Sequence, residues 1–125
     1  MRYLAIRTLL RLAEGIEGDP PVRDYSALVA AHERHQAQLL GQPVHADPVD
    51  AAAALLHAIT RLHPLQNRND IFAWLAAYTL LGLNDITVKA TPEQALALVR
   101  SAENGELDET AIATQLAAFS GRNPR

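Results

Sequence analysis

A chain of 125 residues fits one domain, residues 1–125. Its apolar residues, 49% of the chain, are rich in alanine, and only 5% of the chain is aromatic, which favours close-packed helices over a sheet. The absence of cysteine excludes disulfide bonds and thiolate metal sites and fits a reducing compartment. The net charge is −3 and the sequence has no basic cluster, so we expect no binding to nucleic acid. No apolar run reaches the ~20 residues of a membrane helix, so we expect no membrane binding. Together these features predict an all-α, cytoplasmic protein.

Two helices are predicted in the first third of the chain. Leucine, isoleucine and alanine at helical spacing predict a first helix over about residues 3–16, and the glycines and prolines of residues 15–21 end it. A second helix begins near Tyr25 or Ser26. The polar residues 32–35 either break this helix or form its exposed face. Residues 41–47 are predicted to be a loop or an extended segment.

The start of the third helix has a stronger signal than the start of the second. Asp47 is a good N-cap, and Pro48 stands at the first helical position. The apolar spacing then predicts a helix over residues 49–62. Pro64 ends it near His63, because the residue before a proline is pushed out of the helical region.

The fourth predicted helix is apolar nearly all round. Asn67 or Asn69 is predicted to cap it, and residues 71–81 form its body. Because no polar face interrupts it, we expect it to be the buried central helix. Residues 86–88 alternate between apolar and polar side chains, which indicates a short extended piece.

Two further helices complete the chain. Thr91 with Pro92 and Gln94 has the pattern of a capping box, and that helix ends at residues 104–105. Asp108 is predicted to cap the last helix, which stops near Gly121. The sequence therefore predicts five or six helices and at most one small hairpin.

The loop between the third and fourth helices has the chemistry of a candidate site. The first amides of a helix have no partners within the helix, and with the helix dipole they form an anion site. His63 stands just across the loop, where it can act as a base or nucleophile. Many helix junctions contain a histidine and an asparagine for structural reasons alone, so the residues by themselves leave both interpretations open.

Residues 63–71, His-Pro-Leu-Gln-Asn-Arg-Asn-Asp-Ile, resemble the motif of the Fic family, His-Pro-Phe-x-(Asp/Glu)-Gly-Asn-(Gly/Lys)-Arg. The chain resembles the Doc (death-on-curing) branch of that family in further segments, namely residues 1–4, 22–24, 51–57, 81–84 and 105–109. The resemblance implies an all-α Fic/Doc-like bundle of five to six helices around a buried central helix, with a short extended flap. It also implies the toxin half of a toxin–antitoxin pair.

The resemblance implies roles for residues of the motif. In active members the histidine, here His63, takes the proton from a hydroxyl of the target protein. Mg²⁺ and a nucleoside triphosphate (NTP) are the cofactors if the protein is active, and the partners are an antitoxin and a target such as a translation factor. The flap that docks the target contains Val44 and His45. The positions that bind the nucleotide phosphates are Asn67, Arg68 and Asn69.

Four positions depart from the family pattern. Asn67 replaces the acidic residue that holds Mg²⁺, and a neutral oxygen is a poorer ligand for this cation. Arg68 replaces the glycine that lets the backbone approach the phosphates. Asp70 replaces glycine or lysine, and Ile71 replaces the arginine that binds phosphate oxygens. We therefore expect NTP-dependent phosphoryl or nucleotidyl transfer to be impaired or diverged.

Two alternatives stay open. In the first, the protein is an active transferase with a permuted site, where Arg68 supplies the positive charge and Asp70, with Asn67, supplies the metal ligands beside His63. In the second, the fold is kept as a non-catalytic module that binds a partner.

The other histidines have simpler interpretations. His32 and His35 lie one turn apart, a spacing that suits a metal ion, but the sequence shows no third ligand. We therefore interpret them as part of a solvated face. His57 is interpreted as a core or interhelical residue, and an exposed loop position is the simpler alternative for His45.

Overall fold

The computed structural model describes residues 1–45 and 47–121. Within those residues the chain forms six helices and one two-stranded antiparallel sheet, which confirms the predicted all-α fold. The elements in chain order are α1 Ile6–Glu14, α2 Tyr25–His35, β1 Gln38–Leu39, β2 Gln42–Pro43, α3 Pro48–Leu62, α4 Asn69–Leu83, α5 Pro92–Glu103 and α6 Glu109–Phe119. None of the helices in this described part of the chain is both long and apolar enough to cross a membrane.

Three of the predicted N-caps are confirmed. The Asp47 carboxylate accepts a hydrogen bond from the Val49 amide at 2.8 Å, and Pro48 is the first residue of α3. Thr91 forms the complete capping box of α5, and the Asp108 carboxylate caps α6. Each cap satisfies amides that the first turn of a helix leaves free, so local sequence alone determines these boundaries.

The centre of the bundle is α3, and the prediction that α4 is the central helix is wrong. Ten of the fifteen residues of α3 are buried, against six of the fifteen in α4. The alanines of α3, residues 51–54, let α2, α4 and α6 pack closely around it. Phe72, Leu80 and Leu81 of α4 are buried, whereas Ile71 and Tyr78 are exposed at the surface.

An N-terminal arm, residues 1–5, packs in an extended form before α1, so the first helix starts later than predicted. The Asn84 side chain binds the backbone of Arg2 in both directions, at 2.7 and 2.8 Å. The Leu4 amide donates to Nε2 of His35 at 3.0 Å, and Nε2 of His32 donates to the Leu4 carbonyl at 2.8 Å. The arm is therefore held by side chains of α2 and α4.

The interpretation of His32 and His35 as a solvated face is wrong. His35 is fully buried, and its Nδ1 donates to the His32 carbonyl while its Nε2 accepts from Leu4. The pKa of His35 is lowered from 6.5 to about 4, chiefly because the ring is buried, and the bond to the His32 carbonyl acts in the opposite direction. The nearby His32 and His45 side chains also contribute to the lowering. His35 is thus a neutral structural residue.

The hairpin lies between α2 and α3. Gln38 pairs with Pro43 and Leu39 pairs with Gln42, and the Val44 amide donates to the Ala37 carbonyl at 2.9 Å. This is the small hairpin that the sequence allowed. The predicted extended piece at residues 86–88 lies outside the named strands of the described chain.

Candidate functional site

The candidate site begins at the C-terminal end of α3, where His63 takes the left-handed conformation. Its φ is 49° and its ψ is 63°, and its amide donates to the Ile59 carbonyl at 3.0 Å. Histidine tolerates this region better than β-branched residues do. The chain turns sharply here. The exposed His63 is the first residue of the motif loop, residues 63–70.

Arg23 binds the end of α3. Its Nη2 donates to the His63 carbonyl at 2.6 Å and to the Leu62 carbonyl at 3.1 Å, and its Nε donates to the His63 carbonyl at 3.0 Å. The last carbonyls of a helix have no partner within the helix and carry its negative dipole. A guanidinium is well suited to that position because it is cationic and presents several donors in one plane.

The motif loop also pairs with the backbone of the preceding segment. Val22 and Leu65 form an antiparallel bridge. The Pro64 carbonyl accepts hydrogen bonds from the amides of Arg23 at 2.8 Å and of Asp24 at 3.2 Å. Leu65 is fully buried and joins the core, so the loop is anchored on both its backbone and its apolar side chain.

Asn69 holds the loop from the other side. Its Oδ1 accepts from the Leu65 amide and its Nδ2 donates to the Leu65 carbonyl, both at 2.9 Å. The prediction that Asn67 or Asn69 caps α4 is wrong, because the N-cap residue is Arg68 and it makes no side-chain cap. The side-chain amide of Asn69 binds the backbone of Leu65 within the loop. The predicted contact of Asn69 with phosphate remains a prediction.

The first turn of α4 has an unusual arrangement of charge. Arg68 lies at φ 63°, in the left-handed region that suits glycine better than a residue with a Cβ. The Asp70 carboxylate accepts a hydrogen bond from the Ile71 amide at 2.8 Å. A carboxylate of the chain itself therefore occupies one of the amides at the anion-binding end of α4.

The groups that this loop presents to Mg²⁺ and a nucleoside triphosphate differ from those of the family motif. Asn67 is exposed and neutral, and the one carboxylate of the loop, Asp70, is bound to a backbone amide. Within residues 1–45 and 47–121, no three histidine, cysteine or acidic side chains are grouped so that they could hold a metal ion. The metal roles of Asn67 and Asp70 remain predictions.

Comparison with known proteins decides the family. No family model matches the chain. The chain is, however, 36% identical over 105 residues to the protein described as "Toxin Doc" from Mycolicibacterium smegmatis (strain ATCC 700084 / mc(2)155), and the match covers 82% of this chain and 81% of that protein. The chain belongs to the Doc family. This confirms the resemblance that the motif loop and the flanking segments indicated.

In this Doc-family protein, the two residues predicted to dock a target differ in their exposure to solvent. Val44 is half exposed, at 48%, directly after β2. His45 is only partly exposed, and its Nε2 is buried without a hydrogen-bond partner among the described residues. His45 is therefore not the freely exposed loop residue of the simpler alternative, and a docking role for both residues remains a prediction.

A groove lies next to the motif loop, between α4 and α5. Its volume is about 530 Å³ and its wall is mostly apolar, while the charged residues Asp70 and Arg100 also line it. The apolar side chains that line it include Ile71, Trp74, Leu75, Leu96 and Val99. The sequence analysis did not find this groove. The signal was available in the apolar side chains that encircle α4, which we assigned to burial.

His57 lies between helices, as the sequence suggested. Its Nδ1 is 3.9 Å from Oε1 of Glu109 at the start of α6, and the same oxygen binds Arg34 of α2 at 2.8 Å.

Arg23 was not predicted as a residue of the site, because an arginine far from the motif gives no local sign that it binds the end of α3.

Proposed function

We propose that this Doc-family protein is a toxin-type protein whose motif loop no longer binds a nucleoside triphosphate as the family motif does. Its NTP-dependent transfer to a protein hydroxyl is then impaired or diverged. The observation that carries this proposal is the Asp70 carboxylate on the Ile71 amide. It places negative charge at the end of α4 where phosphate oxygens would need amides and cations.

The other replacements act in the same direction. The Ile71 side chain has no hydrogen-bond donor for phosphate, and it lies in the groove between α4 and α5. Asn67 is a neutral ligand where the motif has a carboxylate. Phosphoryl transfer depends mainly on positioning and charge stabilisation, so the loss of several phosphate-binding groups reduces it by orders of magnitude.

What remains at the loop is a general base. His63 is exposed at the loop mouth, and its backbone is held in one conformation by α3 and Arg23. Such a histidine can accept a proton from a hydroxyl group. This residual chemistry suits a diverged activity on a protein hydroxyl, for example on a translation factor, in the cytoplasm.

The test is calorimetric titration of the wild-type chain with ATP, GTP, CTP and UTP in the presence of Mg²⁺. We expect no binding heat and no shift of the melting temperature. The positive control is a motif-restored variant that carries Asn67→Asp, Arg68→Gly, Asp70→Lys and Ile71→Arg. Binding to the wild-type chain as tight as to this variant would refute the proposal.

The permuted active site makes the opposite prediction. It uses Arg68 for the lost positive charge and Asp70 for the lost carboxylate, so incubation of candidate target proteins with an NTP should add mass to them. His63→Asn is the matched inactive variant, because asparagine also tolerates the left-handed conformation of residue 63. A mass shift that His63→Asn abolishes would establish this alternative in place of impairment.

A second proposed function is partner binding, which the groove between α4 and α5 favours. Its apolar wall and its position beside the motif loop suit an amphipathic helix of an antitoxin. Coexpression with the product of the neighbouring upstream reading frame tests this. We expect Ile71→Glu to abolish copurification and Tyr78→Glu, an exposed position of α4 outside the lining of the groove, to leave it intact. Equal copurification of both variants would contradict it.

A further inference from the structure

We propose that Arg23 is a positioning residue, which orients the His63 imidazole by holding the backbone of residues 62 and 63. The inference rests on the proposed function only in that His63 is the proton-accepting group. Arg23 lies forty residues away in the sequence, on the segment that precedes α2. Nothing in the motif itself indicates this role.

Among the described residues, no side chain orients the imidazole of His63. Within residues 1–45 and 47–121, no hydrogen bond or ion pair is found for either ring nitrogen of His63, and the residue is exposed. A catalytic histidine needs a fixed direction, which in many sites comes from a carboxylate or carbonyl on its second nitrogen. Here the direction of the Cα–Cβ bond, and hence the backbone conformation, must supply it.

That backbone is constrained at each atom that can form a hydrogen bond. The His63 amide is bound to Ile59 in the last turn of α3, and its carbonyl accepts two hydrogen bonds from Arg23. Pro64 follows, with its φ fixed by the ring. The left-handed conformation of His63 lies outside the most populated regions, so it persists because these contacts hold it.

Arginine suits this position for a geometric reason. The Nε and Nη2 donors of one planar group bind the same carbonyl of His63, and Nη2 also reaches the Leu62 carbonyl. Together they fix the direction of the peptide plane after His63. A lysine ammonium is a point charge on a flexible stem, so it can neutralise the helix dipole but cannot fix that plane in the same way.

The backbone around Arg23 makes the coupling local. The Arg23 amide binds the Pro64 carbonyl, and the Gln66 amide binds the Pro21 carbonyl at 3.0 Å. The segment 21–24 and the motif loop therefore move as one unit, and the guanidinium holds the one end of the loop that bears His63. Loss of the guanidinium should loosen residues 63–66 while α3 stays intact.

The experiment is amide hydrogen exchange by NMR on the wild-type chain, Arg23→Ala, Arg23→Lys and the matched control Arg7→Ala, an exposed arginine of α1. For Arg23→Ala we expect exchange about tenfold faster at His63, Leu65 and Gln66, with unchanged rates at Leu55 and Leu56 in the buried part of α3. Arg23→Lys should lie between, and Arg7→Ala should match wild type. Unchanged rates, or the same acceleration throughout α3, would overturn the proposal.

A second measurement separates positioning from general stability. In the motif-restored variant, Arg23→Ala should lower kcat for transfer about tenfold and leave KM for the nucleotide unchanged, and Arg23→Lys should recover part of kcat. If kcat is unchanged, Arg23 does not position His63. If the motif-restored variant itself shows no transfer, the account of the lost phosphate-binding groups fails, while the exchange rates still decide the role of Arg23.

Discussion

The first turns of α4 and α5 satisfy their free backbone amides in different ways. At α5, Thr91 caps the Gln94 amide at 3.1 Å, Gln94 returns a bond to the Thr91 amide at 2.9 Å, and Pro92 stands at the first position. At α4, the N-cap residue Arg68 has a positive φ and makes no cap, and Asp70 binds the amide of the next residue. The start of α5 follows these local preferences throughout, whereas the start of α4 keeps only an acidic residue in its first turn.

The difference is informative because one of the two helix starts lies in the motif loop. A helix start that serves only the fold uses the residues that best satisfy its amides. The start of α4 instead has a positive φ at its N-cap residue and a carboxylate on one of its free amides. Departures from local rules are expected at functional sites, and here the departure coincides with the motif loop.

The largest expected effect on the free energy of unfolding comes from protonation of His35. Its pKa is lowered to about 4 in the folded chain, against 6.5 in the unfolded chain, because burial keeps the ring neutral. The unfolded chain therefore takes up the proton first, and the contribution of this group to stability is complete above pH 6.5 and is lost as the pH falls towards 4. The expected loss is about 3 kcal/mol. Chemical denaturation between pH 7 and 4 measures it, and His35→Gln should remove this part of the pH dependence. An identical pH profile in that variant would contradict the assignment.

The next largest effect is expected for the asparagine that braces the motif loop. Asn69→Ala removes both hydrogen bonds to Leu65 and leaves two partly buried backbone groups without partners. We expect a loss of about 2 kcal/mol in the free energy of unfolding. Asn67→Ala is the matched control, since Asn67 is exposed and does not cap α4. Equal losses for the two variants in urea denaturation would show that the brace is not structural.

The capping box of α5 gives a smaller effect. Thr91→Ala removes the cap on the Gln94 amide and should destabilise the chain by about 1 kcal/mol. Thr91→Ser keeps the hydroxyl and serves as the control. Thermal unfolding compares the two. If both variants melt like the wild type, the contrast between the two helix starts has no energetic meaning.

The smallest effect has the opposite sign. Arg68→Gly relieves the positive φ at the N-cap of α4 and should stabilise the chain by up to about 1 kcal/mol. Arg68→Ala removes the same charge but keeps a Cβ, so it should bring no such gain. A gain of the same size with alanine would attribute the effect to charge and not to backbone strain.

The elements that the sequence predicted well are those that local chemistry determines. Asp47, Thr91 and Asp108 marked three helix starts because their side chains bind amides two or three residues away. Two of the errors concern long-range contacts. The neutral, buried state of His35 depends on the N-terminal arm, thirty-one residues away in the sequence. The central place of α3 depends on its alanines meeting three other helices, and composition alone did not distinguish that from the apolar α4.

The candidate site divides in the same way. The resemblance located His63 and the motif loop, and its family is confirmed by the match to "Toxin Doc". The use of Asn69 as a brace and of Arg23 as a holder of the α3 terminus required the structure, because both depend on the path of the loop between two distant segments.

The most direct test of the central claim is the difference in affinity for Mg²⁺–ATP between the wild-type chain and the motif-restored variant, measured by calorimetry under one set of conditions. Adding Asp70→Asn alone as a third chain isolates the carboxylate at the end of α4 from the other replacements. The account predicts no detectable binding by the wild type, weak or no recovery in Asp70→Asn, and an affinity at least about a hundredfold higher in the restored variant. Equal affinities of the wild type and the restored variant would contradict it.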